Sequence, residues 1–127
     1  MNVKSISFYL SLFCFPISLS AFINILYSSY FDFYLSIESY LITLLFSLIL
    51  GSGLIYYGKN ADKKINFIDQ LILIVSVYLV IGFLISIPFY KSNLQISLVN
   101  AFFESISGLT STGFSTFSNI KYLDPTL

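Results

Sequence analysis

The chain has no histidine, no arginine and a single cysteine, Cys14. Metal sites built on imidazole or thiolate are therefore excluded, and no disulfide can close within the chain. No segment carries the paired carboxylates that general acid–base chemistry would use. The sequence does not read as an enzyme, and it calls for no cofactor. Charge is scarce as well: 9 % of the 127 residues are charged, with six lysines balancing six acids, against about 25 % in soluble domains. A neutral chain with no basic excess implies neither a nucleic-acid partner nor an acidic one.

Apolar residues take the place of charge, at 57 % of the chain. That composition makes it an integral membrane protein, all-α, whose first partner is lipid. The surplus of Ile, Asn, Phe, Tyr and Ser, with lysine as the sole basic residue, reads as mutational bias.

Three apolar runs are long enough to cross a hydrocarbon layer of about 30 Å. The first covers residues 6–27, follows Lys4, and is interrupted by Pro16 and Asn24. Ser18, Leu19 and Ser20 before Ala21 resemble a signal-peptidase site. The run nevertheless exceeds the usual signal core of roughly 7–15 residues, so a retained spanning helix is expected. Pro16 is tolerable there if neighbouring hydroxyls satisfy the carbonyl it frees. A short connection with Asp32 follows, and Tyr27, Tyr30, Tyr34 and Tyr40 suit the headgroup level.

The second run, 37–57, ends near Gly51, Ser52 and Gly53, a patch that allows close helix contact. The loop 58–66 holds Lys59, Lys63 and Lys64 against Asp62. The third run, 67–90, begins with Asp69 and Gln70 and ends near Pro88. Asp69 reads as a solvated first-turn residue at a helix N-terminus. Lysines on Lys4's side and in the loop 58–66 predict a cytoplasmic N-terminus, with everything after the third run outside.

The stretch 94–109 would make a helix of about 24 Å, too short to span. Asn93 is placed to cap it, and Leu94, Leu98, Ala101, Phe102, Ser105 and Leu109 give it one packing face. Thr110, Ser111, Thr112 and Gly113 follow at once. A half-length helix in a membrane needs a protein-lined cavity for its freed backbone. Carbonyls of this tract can face an ion, and Gly113 permits backbone angles closed to other residues. The helix's negative end favours a cation there. Glu104 is the one acid in this helix, placed to ring a pore entrance, to accept hydrogen bonds from the tract's amides, or to stay protonated or face water as an ordinary helix residue. The expected fold is three spanning helices plus a re-entrant pore helix and filter loop.

Residues 102–113, FFESISGLTSTG, resemble the first pore loop of the Trk/Ktr/HKT superfamily, and specifically of TrkH/TrkG-type bacterial potassium uptake subunits. The family pattern is close to FFE-S-x-SG-x-TTTG, and Ser111 replaces one threonine, a change expected to matter little. Tyr122, Leu123, Asp124 and Pro125 resemble the lead into the following helix. The resemblance implies potassium ions held by the carbonyls of Thr110, Ser111, Thr112 and Gly113, with Glu104 as support. It implies an N-terminal helix pair over 1–60 and part of a first pore repeat over 61–127. It further implies a multi-pass place in the bacterial inner membrane and a cytosolic nucleotide-binding regulatory subunit as partner. Such subunits carry four pore repeats in one polypeptide, so this chain reads as a truncated or split portion, inactive alone until the remaining repeats are supplied. Two other readings stay open: a channel of four identical copies, and a small membrane protein of assembly or interaction with no transport role.

Overall fold

A backbone in hydrocarbon has no water to bond, so a long apolar run coils and satisfies its own amides and carbonyls. The computed structural model describes residues 2–31, 34–62, 64–91 and 96–116. These residues form four helices: α1 Val3–Tyr30, α2 Tyr34–Gly58, α3 Phe67–Lys91 and α4 Leu98–Leu109. The first three are long and apolar enough to cross a membrane, with lengths of about 42, 38 and 38 Å from their residue counts. There is no strand among the described residues. The sequence expectations for Asp32, Lys63, Asn93, Leu94 and residues 122–125, and for the side chain of Tyr34, fall outside what is described.

Small side chains set the packing of α1 and α2, as they do where helices meet in lipid. Gly58 lies against the first turns of α1: a methyl group there would come 2.8 Å from the Lys4 carbonyl oxygen and from the Phe8 amide nitrogen. Further along, Gly51 faces the Cys14 side chain, 3.2 Å from where its own Cβ would stand. The two helices therefore run antiparallel. Gly53, expected to share that contact, faces open space. The tightest approach is made by Gly58, which the sequence alone left in a loop.

Serine fills much of this seam: Ser11, Ser18 and Ser47 are buried. Their hydroxyls fold back onto their own helices, Ser18 to the Phe15 carbonyl at 2.7 Å and Ser47 to that of Leu44 at 3.0 Å. Each buried hydroxyl is thereby satisfied, and the residue packs as a small apolar spacer. The abundance of serine thus has a structural use that composition did not reveal. Ser28 differs, its buried hydroxyl finding no partner among the described residues. Pro16 lies inside an unbroken α1, and the nearest hydroxyls, Ser11 and Ser18, bond the carbonyls of Phe8 and Phe15.

α3 lies alongside α1 in the same direction. At one end the Asn2 amide donates to Asp69 Oδ1 at 3.2 Å. In the middle, Cys14, Ile81 and Leu84 form the buried core, with Leu54 and Leu109 packed around it. Asp69 is only 3 % exposed, so the solvated role expected for it is overturned. Asn2 makes no side-chain cap for α1, and the orphan amide at that positive helix end takes its acceptor from α3. Ser5 Oγ also donates to the Asp62 carbonyl, tying the loop after α2 to α1.

Tyr40 corrects a second expectation. It is buried and, with Asn24, Thr43 and Pro88, lines a cavity of about 200 Å³ between α1, α2 and α3. Its ring follows α2's inner face, along with Ser39 and Thr43, rather than the lipid headgroups. Tyr30 and Tyr27 are exposed, and Phe31 packs against both rings.

Candidate functional site

The short helix starts later than its periodicity suggested. Ser97 is its N-cap, with the hydroxyl accepting from the Asn100 amide at 3.2 Å. α4 therefore has 12 residues and a length of about 18 Å. The capping role expected of Asn93 falls to Ser97. The packing face survives in part: Ala101 and Ser105 are buried and Phe102 and Leu109 half-buried, while Leu98 is exposed.

α4 docks on α3 at Gly82, whose missing side chain makes room for Ile106. A Cβ at Gly82 would stand 2.5 Å from Ile106 Cδ1 and 3.3 Å from the Phe102 ring. Gly82 lies about 14 Å of helical rise back from Lys91, the last residue of α3. Leu109, the last residue of α4, packs beside Cys14, Ile81 and Leu84.

The tract after Leu109 begins as a helix cap. The Thr112 amide donates to the Ser107 carbonyl at 3.1 Å, and the Ser111 amide to that of Gly108 at 3.1 Å. This pair of bonds is the Schellman arrangement, whose turning residue sits in the left-handed region. Here that residue is Ser111, with φ 54°, where glycine is usual. A β-branched residue would be strained at that angle. The change of threonine to serine relative to the family pattern, expected to matter little, therefore falls where the side-chain type matters. Gly113 also has positive φ, 71°, in keeping with the freedom expected of it.

Hydroxyls tighten the turn. Thr110 Oγ1 donates to the Ile106 carbonyl at 2.7 Å, and Ser107 Oγ donates to the Phe114 carbonyl at 2.6 Å. Ser107 Oγ and Thr112 Oγ1 are 3.1 Å apart. Glu104, one turn before Ser107, reaches the segment beyond Gly113. Its Oε1 accepts from Ser115 Oγ at 3.1 Å, from Thr116 Oγ1 at 2.7 Å and from the Thr116 amide. These donors lie beyond the tract, two and three residues past Gly113.

These bonds draw on amides, hydroxyls and α4's own last carbonyls. No donor among the described residues reaches the carbonyl oxygens of Thr110, Ser111, Thr112 or Gly113, and all four residues are exposed. Carbonyl oxygens of this kind are the groups that replace a cation's hydration shell in filters. The described residues bring together no group of His, Cys, Asp or Glu able to hold a metal ion. Ser107 is the participant that sequence reasoning missed. Its only signal was position: three residues after Glu104 and five before Thr112, the spacing of a side-chain pair on one face and of a helix cap.

The fold and this turn define a helical protein with three helices fit to cross a membrane and a short fourth helix bearing a carbonyl-rich cap. The Trk system potassium uptake protein TrkG of Escherichia coli strain K12 is similar to it, 26 % identical over 89 residues, which is 69 % of this chain and 18 % of that protein. The chain thus spans less than a fifth of that relative's length. No family model matches the chain, and no solved structure matches it.

Proposed function

We propose that the chain is the N-terminal portion of a TrkH/TrkG-type potassium uptake transporter, in which Thr110, Ser111, Thr112 and Gly113 supply one segment of the ion filter. The observation that carries this reading is the tract itself: four carbonyls that no donor among the described residues reaches, held at the end of a helix too short to span. The seat of Ile106 on Gly82 and of Leu109 beside Cys14 and Leu84 suits a helix that re-enters the layer and ends partway through it. Similarity to a protein named for potassium uptake supports the choice of ion and a transport role rather than an enzymatic one. Glu104 acts as the support of the tract's outgoing strand.

One such segment cannot replace an ion's hydration shell, which takes a ring of carbonyls. The chain accordingly works only with the remaining pore repeats, sits in the bacterial inner membrane with its N-terminus in the cytoplasm, and meets a nucleotide-binding regulator there. Rubidium-86 flux in reconstituted vesicles tests this. The chain alone should give no flux above protein-free vesicles, and the chain with a polypeptide bearing the other three pore loops should give saturable flux. Flux from the chain alone would replace this reading with a channel of identical copies. No flux from the combination would leave a membrane protein without a transport role.

A further inference from the structure

We infer that Ser107 is the positioning residue of the carbonyl tract, and that the hydroxyls of Thr110 and Thr112 hold the turn with it. The inference rests on the filter reading above and adds to it the part that fixes the filter's shape. Ser107 is 6 % exposed and is bonded through both its main chain and its side chain. Its carbonyl accepts the Thr112 amide at 3.1 Å, and its hydroxyl donates to the Phe114 carbonyl at 2.6 Å. One residue thus grips the tract on both sides of Gly113.

Counting protons assigns the hydroxyls. Each carries one. That of Ser107 goes to Phe114 and that of Thr110 to the Ile106 carbonyl. That of Thr112 stays within the turn, with the Ser107 hydroxyl at 3.1 Å and the Ser107 carbonyl at 3.3 Å as its acceptors. All three protons point back into α4 or along the strand, and none reaches the carbonyls of Thr110, Ser111, Thr112 or Gly113. Glu104 secures the strand one turn further on, through Thr116.

The test uses the whole chain, labelled with carbon-13 at the carbonyls of Thr, Ser and Gly and co-reconstituted in lipid nanodiscs with a polypeptide bearing the other three pore loops, titrated with potassium chloride against choline chloride at equal ionic strength. Hydrogen exchange at the Thr112 amide is followed in the same samples. Wild type should show potassium-dependent shifts at residues 110–113. Ser107→Ala should weaken the potassium response about 3- to 10-fold and speed Thr112 exchange by a similar factor, the range for losing one or two hydrogen bonds. Ser107→Thr keeps the hydroxyl and should restore both. Unchanged exchange at residues 101–105 shows that α4 has remained folded. If Ser107→Ala binds potassium like wild type, the inference is overturned while the filter reading stands. If wild type shows no potassium response, the filter reading fails and exchange decides: acceleration at Thr112 upholds Ser107 as organiser of the turn, and no change overturns it.

Discussion

At Ser111 an L-residue occupies a left-handed backbone, φ 54°, at a cost of about 1–2 kcal/mol. Glycine would remove that cost but lose roughly 0.5–1 kcal/mol through its freer unfolded chain. Ser111→Gly should therefore strengthen the turn by about 0.5–1 kcal/mol, seen as slower hydrogen exchange at the Thr112 amide. Unchanged or faster exchange would mean that Ser111 does not carry the turn. The cap itself was hard to foresee, because the sign of a Schellman turn is a glycine at the turning position and serine stands there instead. Gly113 was legible, since a glycine after three hydroxyl residues has few other uses. Asp69 was misread because nothing local shows that α1 lacks a cap and borrows one from α3.

At the scale of elements, α1 and α2 are held by what their contact residues lack. A methyl group at Gly58 would meet backbone atoms of Lys4 and Phe8 at 2.8 Å, whereas one at Gly53 meets nothing within 4 Å. Gly58→Ala should force the helices apart and destabilise the pair by about 1–3 kcal/mol, while Gly53→Ala stays within about 0.5 kcal/mol. Unfolding in mixed detergent micelles, followed by circular dichroism, compares them, and equal effects would contradict the packing. The three long helices were visible in the sequence because apolar length alone decides whether a segment can span. Their inward faces were not. In lipid, the outward face is as apolar as the seam, so hydrophobic periodicity does not separate them. Serines that bond their own helix then look like polar interruptions, although Ser11, Ser18 and Ser47 are buried. Tyr40 went astray for the same reason, a ring suited to the interface but turned inward with its helix. α4 was recognised as too short to span, and its start moved because Ser97 takes the capping role.

Taken whole, the molecule has one end where Asn2 meets Asp69 and Ser5 meets Asp62, which places the N-terminus beside the lysine-bearing loop. The proposed orientation puts that end in the cytoplasm. In a Cys14→Ser background, an impermeant thiol reagent applied to intact cells should label a cysteine at Ser36 and spare one at Asn60; the reverse pattern would invert the topology. α4 hangs from α3 at Gly82, with carbonyls beyond it that no donor among the described residues reaches, and the chain spans less than a fifth of its relative's length. In the proposed reading this part of the transporter supplies spanning helices and one filter segment. Rubidium uptake in a potassium-uptake-deficient strain, with the chain supplied alongside the remaining pore repeats and compared with its Gly113→Ser variant, tests it most directly. Serine at φ 71° should distort the tract, and uptake or its preference for potassium over sodium should fall at least about tenfold, the factor that 1.4 kcal/mol of lost cation stabilisation produces. Uptake and preference equal to wild type would show that residues 110–113 are a helix cap and nothing more.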